Sequence, residues 1–351
     1  RRQRQMCIRD SNVHRAAELL EESKTSDVPI TEILAEAVID DHAMFPSALP
    51  ARRETSYNAW LTIQIGCDNN CAFCIVPAVR GAEISRPYAD VVAEARQLAT
   101  DGVTEVTLLG QNVNSYGRDL ELNGRRPVFA DLLRQVGDVE GIRRIRHTSP
   151  HPKDFREDVA EAMAATPSVC EQLHLPLQSG SDRILAAMHR GYNSERFLTR
   201  LAMARRIVPD LSVSTDIIVG FPGETEEDFR ATMDVVAAAR FDQAFTFQFS
   251  PRPGTVAATM DGHLAKSVVQ ERFDRLVELQ NRISLESNQA RVGRIEEVLV
   301  EGPSKKDPDI MTARTRGNQP VHAPGRFESG VYLDVEITKA APHHLMGRVI
   351  S

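Results

Sequence analysis

One short stretch constrains this chain more than any other: Ile65-Gly66-Cys67-Asp68-Asn69-Asn70-Cys71-Ala72-Phe73-Cys74-Ile75-Val76-Pro77. It holds three of the five cysteines, spaced C-x3-C-x2-C. The apolar, β-branched run from Leu61 to Ile65 reads as a strand, and Gly66 then turns the chain. The three thiols therefore sit on a loop leaving the C-terminal end of a strand. Three readings are open. A disulfide with a spare thiol needs an oxidising compartment, which nothing in the sequence marks. Structural zinc takes four ligands, usually from two CxxC-like pairs, and here one CxxC follows a single cysteine. An iron–sulfur cluster held by four thiolates is closed, whereas one held by three leaves an iron open to bind something else.

The rest of the composition narrows the class. A chain of 351 residues has room for two domains, with a remnant of a third. A hydrophobic share of 42% supports a real core. No apolar run is long enough for a membrane span, and no signal peptide is read at the basic, polar start. The cytoplasm is the expected compartment, and a monomer is the expected state. The net charge of −7 means that any contact with RNA has to be a local patch.

Taken in order, residues 1–50 read as the remnant of an N-terminal domain. Asn12 to Ser23 and Ile30 to Ile39 are expected helices, and 45–50 is a proline-punctuated linker. The chain begins at Arg1 rather than Met, which reads as a fragment. From about 57 to 250, strands alternate with helices. The expected strands are Leu61–Ile65, Glu105–Leu109, Ile142–His147, Gln172–Leu175, Ser212–Val219 and Ala244–Phe249. Expected helices lie near 88–100, 129–136, 154–164, 181–189, 194–206 and 225–239. Asp154 with Glu157 and Thr225 with Asp228 read as N-cap pairs. This α/β rhythm predicts βαβ units and a parallel sheet. Six units are too few for a closed eight-unit barrel, so the expected fold is an open, partial (β/α)6 TIM-like barrel over 51–285. In such barrels chemistry gathers at the C-terminal ends of strands. Polar and glycine-rich segments do follow the strands here, in 110–114, 148–152, 178–181 and 220–224.

Residues 264–292 read as a long amphipathic helix packed over the open side of the barrel. Short β runs follow at Ile295–Val300, Met311–Thr315, Val331–Ile337 and Leu345–Ile350. They predict a small antiparallel β-barrel over 286–351. Its charge is nearly balanced, so RNA binding there requires Arg291, Arg314, Arg316 and Arg326 to collect on one face. Cys170, ahead of an apolar strand, reads as buried core.

The C-x3-C-x2-C spacing resembles the signature of radical S-adenosylmethionine enzymes. The stretch from Gly66 to Pro77, followed by Arg80-Gly81, resembles the methylthiotransferases among them. Leu108 to Asn114, Arg146 to Pro152 and His174 to Asp182 resemble the branch that acts on isopentenylated adenosine in tRNA. The C-terminal segment is similar to the RNA-binding TRAM domain. The resemblance implies that Cys67, Cys71 and Cys74 hold a [4Fe-4S] cluster whose open iron binds S-adenosylmethionine. It implies a methylthio group added to C2 of N6-dimethylallyladenosine beside the anticodon by radical chemistry. The partners it implies are a tRNA anticodon loop and an electron donor of the flavodoxin or ferredoxin type. Ile218, Val219 and Gly220 are the expected contacts to the cofactor's adenine. Gln111, Asn112, Gln178 and Ser179 are the candidates for its ribose or methionine end, with turn and cap roles as the alternative.

Two departures from the family stand out. Its N-terminal domain carries three further cysteines for a second, auxiliary [4Fe-4S] cluster, and here only Cys7 precedes Cys67. The Gly-Gly-Glu that many radical enzymes place after the second strand is replaced by Leu109-Gly110-Gln111-Asn112. Rival readings are a sibling enzyme acting on threonylcarbamoyladenosine or a ribosomal-protein aspartate, and a zinc-stabilised RNA-binding protein without catalysis.

Overall fold

A computed structural model describes residues 55–350, apart from 122–123 and 126–127. The helices and linker expected before residue 51, and Cys7, lie outside the described residues. The first half of the sheet is β1 (Asn58–Thr62), β4 (Glu105–Leu109) and β5 (Arg144–His147), paired in parallel in the order β1-β4-β5. The second half is β6 (Gln172–His174), β7 (Ser212–Val219) and β8 (Gln243–Gln248), also parallel and in that order. An isolated parallel bridge from Ile145 to Val169 links the halves. Among the described residues β1 and β8 do not pair, so the barrel is open as expected.

Helices cover the convex side: α2 (Tyr88–Thr100), α3 (Phe129–Gly137), α4 (Glu157–Ala165), α6 (Ser194–Ile207) and α7 (Glu226–Ala239). The alternation in β7 shows why. Val213, Ile217 and Val219 join the main core, while Ser214, Asp216 and Ile218 stay half-buried on the concave face. The Thr225–Asp228 box forms as read, with Thr225 Oγ1 accepting from Asp228 N at 3.2 Å and Asp228 Oδ2 accepting from Thr225 N at 2.8 Å. The Asp154 cap does not form. The N-cap of α4 is Arg156, and Asp154 instead accepts from Asn112 at 2.8 Å and from Arg118 at 2.5 Å. A second correction concerns the long helix α8 (Lys266–Gln289). It packs beside α7 and against β7, β8 and the C-terminal barrel, rather than across the open side. Its buried stripe of Val269, Leu276 and Ile283 fuses with the main core.

The C-terminal barrel is closed: β9 (Ile295–Pro303), β10 (Ile310–Thr315), β11 (Pro320–Pro324), β12 (Tyr332–Ala341) and β13 (His344–Val349), in the order β10-β11-β13-β12-β9. One pairing, β11 with β13, is parallel, so the all-antiparallel expectation is corrected. The sequence reading missed β11 because Pro320 and Pro324 bound it and look like turn residues. Both lie at its ends, where a missing N–H is tolerated.

Two arginines of the half-barrel's concave face fix this barrel in place. Arg144 is fully buried and donates to Arg314 O at 2.9 Å, Glu297 O at 2.8 Å and Glu297 Oε1 at 3.0 Å. Arg146 donates to Arg316 O at 2.8 Å, Thr315 O at 2.9 Å and Glu105 Oε2 at 3.1 Å. Arg316 returns the contact to Glu171 and to the carbonyls of Pro167 and Val169. Arg291 pairs with Glu296, Arg314 with Glu301 and Arg326 with Asp309. The four arginines do not form a free basic face, because each is neutralised by a carboxylate.

Candidate active site

After β1 the chain enters β2 (Gln64–Ile65), which pairs antiparallel with β3 (Ile84–Ser85). The strand predicted over Leu61–Ile65 is thus split between β1 and β2. The β2–β3 pair pinches the base of the cysteine loop. Gly66 has φ 68°, and a Cβ there would stand 1.8 Å from Ala82 O, so only glycine fits. Cys67 N donates to Gly81 O at 3.2 Å, and Glu83 N donates to Asp68 Oδ1 at 2.9 Å. Cys74 N donates to Cys71 O at 3.0 Å, just before the short helix α1 (Val76–Arg80).

The loop is held over the mouth of the half-barrel from several sides. Ala72 N donates to Met188 O at 3.1 Å, and Ala72 O accepts from Ala257 N at 2.8 Å. Ala72, Phe73, Ile218, Phe221 and Met188 pack as one apolar cluster, together with Ile184 from α5 (Asp182–Ala187). Lys153 Nζ donates to Asn69 Oδ1, and His189 Nδ1–H donates to Asn70 O at 3.1 Å.

Cys67, Cys71 and Cys74 are all unpaired thiols, and burial pushes the thiols of Cys67 and Cys74 up. The buried Arg190 donates through Nη1 to Cys71 Sγ at 3.3 Å and through Nε to Tyr192 Oη at 3.1 Å. Tyr192 Oη is set by Pro176 O and Leu177 O, both at 2.9 Å. Among the described residues no carboxylate pairs with Arg190. A buried cation is costly without an anion beside it. The thiolate form of Cys71 supplies one, so this donor set suits an anionic, thiolate-held centre. Among the described residues, no three His, Cys, Asp or Glu side chains are arranged to hold a single metal ion.

The other expected contacts divide in two. Gln178 sits at φ 68° just after β6, its N donating to Asp216 O at 2.7 Å and its O accepting from Ile218 N at 2.9 Å. That stitch brings Gln178 beside Ile218, and Ile218 packs against the same apolar cluster as Ala72 and Phe73 of the cysteine loop. Gln111 is half-buried at the end of β4. The remaining residues are engaged inside the protein. Both amide atoms of Asn112 are used, Nδ2 toward Asp154 and Oδ1 accepting from His151 N at 3.2 Å. Ser179 Oγ bonds Thr232 Oγ1 at 3.2 Å and accepts from Ser181 N at 3.2 Å. Val219 points into the core. Gly220 has φ 80°, and a Cβ on it would meet Val269 Cγ2 at 2.5 Å. Its glycine thus serves the approach of α8, not only that of a ligand.

On the concave face, His174 bonds Ser214 Oγ at 2.9 Å and Asp216 Oδ2 at 3.3 Å. Phe245 meets His174 edge-on with ring centroids 6.0 Å apart; Phe245 and Phe247 are each 45% exposed, and Trp60 of β1 is 68% exposed. Register places Phe245 opposite Asp216 and Phe247 opposite Ile218, so both rings share the concave face with the relay.

A radical SAM superfamily model matches residues 61–236, and a TRAM domain model matches 289–350. The chain belongs to the radical SAM superfamily. It is 52% identical over 344 residues to tRNA-2-methylthio-N(6)-dimethylallyladenosine synthase of Mycobacterium bovis, covering 95% of this chain and 66% of that protein. The synthase of Saccharopolyspora erythraea is 51% identical, with 93% of this chain and 67% of that protein covered. With that coverage the chain also belongs to the family of these synthases. It spans slightly under two thirds of the first curated relatives it matches, at 66% and 62% of their lengths. Among solved structures, coproporphyrinogen III oxidase (HemN) from Escherichia coli aligns over 81% of this chain and 70% of its own, at 14% identity and a TM-score of 0.48.

Radical SAM membership implies an enzyme that uses an iron–sulfur centre and S-adenosylmethionine. No described helix is long and apolar enough to cross a membrane. The TRAM match coincides with the closed barrel of β9 to β13. The sequence reading did not single out Arg190, Tyr192, Lys153 or Asp216, and it took His174 only as part of the stretch from His174 to Asp182. One signal was present: Ser212, Ser214 and Asp216 recur at period two inside an otherwise apolar strand, which marks a polar face inside the barrel.

Proposed function

We propose that this chain is a tRNA methylthiotransferase that adds a 2-methylthio group to N6-dimethylallyladenosine next to the anticodon. The observation that carries this is the three-thiol loop faced by a buried, carboxylate-free arginine at the mouth of an open half-barrel. Cys67, Cys71 and Cys74 hold the [4Fe-4S] cluster, and Arg190 offsets the negative charge of that ligand set. When bound, the cluster with S-adenosylmethionine supplies a one-electron cleavage that yields a carbon radical able to take hydrogen from an unactivated C–H bond.

The chain's residues do the positioning. Gln178, Gln111 and the Ile218 edge are the groups presented to the cofactor, while Asn112, Ser179 and Gly220 shape the loops behind them. The apolar cluster of Phe73, Ile218 and Phe221 keeps water from the thiol loop. Trp60, Phe245 and Phe247 offer faces on which an unstacked base and its dimethylallyl group rest. The His174–Asp216–Ser214 relay offers donors and acceptors to the edge of the base. An anticodon loop is single-stranded, so a base there leaves its stack at a cost of a few kcal/mol. The electron comes from a flavodoxin- or ferredoxin-type donor, and the protein works as a cytoplasmic monomer. The auxiliary cluster of the family has no assigned ligands among the described residues.

Anaerobic reconstitution followed by nucleoside mass spectrometry tests this. The expected result is a brown protein that forms 5′-deoxyadenosine and, when supplied with sulfur, the methylthio nucleoside from N6-dimethylallyladenosine. A colourless protein with one zinc overturns it. Product only on threonylcarbamoyladenosine, or on a ribosomal-protein aspartate, moves the substrate to the sibling reading.

A further inference from the structure

A second feature lies at the same end of the molecule and takes no part in holding the thiol loop. A groove with a volume of about 520 Å³ runs between the start of α4 and the first half of α6. Phe155 lies in its wall, with Arg156, Arg196 and Arg200 around it. Among the described residues, none of these three guanidinium groups makes a side-chain hydrogen bond or an ion pair. Two acidic residues share the wall. Glu157 is held by Arg206 at 2.9 Å, and Glu195 lies exposed on the first turn of α6. The charge of Asp154 acts on Arg200 as well, but its carboxylate already accepts from Asn112 and Arg118. Burial, and then the like charges of Arg196 and Arg156, hold Arg200 below the usual guanidinium range. Three like charges therefore line one groove, and those of Arg196 and Arg156 act on Arg200. Such a cluster is relieved by an anion, and guanidinium groups match phosphate oxygens in geometry.

The position identifies the anion. Phe155 directly follows Asp154, which anchors Asn112, and Asn193 directly follows Tyr192, which orients Arg190 on Cys71. The groove thus opens at the thiol end of the half-barrel. The arginines of the C-terminal barrel, by contrast, are each neutralised.

We propose that Arg156, Arg196 and Arg200 bind backbone phosphates of the RNA whose base enters the half-barrel. This rests on the tRNA reading above and adds a contact surface on the radical SAM portion. Phosphate contacts set register and orientation without reading sequence, so the groove would fix which nucleotide faces the channel.

The test is fluorescence anisotropy of an anticodon stem-loop carrying N6-dimethylallyladenosine, titrated with the reconstituted full chain at several salt concentrations. The triple variant R156Q/R196Q/R200Q is expected to lose roughly tenfold or more in affinity. Its slope of log K against log salt should flatten by about 0.7 for each phosphate that is no longer neutralised. R200K, which keeps the charge, should retain the slope. Iron content and circular-dichroism melts establish folding. Should the triple variant misfold, the single R156Q and R196Q variants read the same slope. Wild-type affinity and slope in folded variants overturn the groove alone, as does a loss of affinity with an unchanged slope. Equal displacement of any RNA by millimolar inorganic phosphate also overturns it, in favour of a free-anion site. Failure of the wild-type chain to bind the stem-loop overturns the tRNA reading together with the groove.

Discussion

At the scale of single residues, the thiol loop is met by a buried cation, Arg190, whose Nη1 stands 3.3 Å from Cys71 Sγ while its Nε donates to Tyr192 Oη. Cys67, Cys71 and Cys74 announce themselves by spacing, and Gly66 by its place at a turn. Arg190 meets Cys71 across 119 residues, so no local pattern could reveal it. That meeting predicts that R190M loads markedly less iron than wild type, with R190K in between, because the fixed charge beside the sulfur is removed or displaced. Iron analysis after reconstitution checks this, and equal loading of all three would contradict it. Gly66→Ala forces a Cβ onto Ala82 O and strains a left-handed backbone by roughly 1–2 kcal/mol before the clash is counted. The expected outcome is loss of iron binding with the main thermal transition little changed, measured on the same sample. His147 adds a pH prediction. It is fully buried with neither ring nitrogen partnered, and burial holds its pKa down to about 4 against an ordinary value of 6.5. Between those two values the unfolded chain binds the proton and the folded chain does not. Stability therefore falls as pH drops from 6.5 towards 4, by up to about 1.4 kcal/mol per pH unit from this group. Urea midpoints measured across that window should decline less steeply in H147L, and an unchanged slope would refute the assignment.

At the scale of elements, periodicity located the six parallel strands and the helices between them, but not the short α1 and β3 that frame the cysteine loop, and not every end. The capping box of α7 was readable because Thr225 and Asp228 satisfy each other locally. The similar-looking Asp154 was misread because a tertiary demand prevailed: its carboxylate ties the loop after β5 to the loop after β4. The two substitutions should separate accordingly. T225A is expected to cost about 1 kcal/mol in chemical denaturation, the usual effect of removing a cap, and to leave iron content alone. D154A should free Asn112 and Arg118 and reduce cofactor affinity by more than its effect on stability suggests. Calorimetry of cofactor binding together with a denaturation curve distinguishes the two. Strand β11 went unseen because its bounding prolines imitate turns, and its pairing is visible only once the barrel closes.

At the scale of the whole molecule, the order of parts was legible, but the way they join was not. The C-terminal barrel is fastened by arginines from the concave face of the half-barrel, and Arg144 is fully enclosed in that junction. Its replacement in R144M leaves buried carbonyls unpaired, at a cost of roughly 3–5 kcal/mol if it resembles the breaking of a buried ion pair. Hydrogen exchange should then show the barrel of β9 to β13 opening before the half-barrel, whereas a uniform change would argue against a local junction. RNA binding by the C-terminal barrel required Arg314 and Arg316 to share a free face, and both are tied to carboxylates instead. The proposed function rests on a centre held by three thiolates. The most direct test is the iron content of the reconstituted chain before and after joint replacement of Cys67, Cys71 and Cys74 by alanine. The account predicts about four irons at this site, as a cubane requires, and their complete loss in the triple variant. Iron that survives the triple replacement, or a single zinc in the wild-type protein, would contradict it.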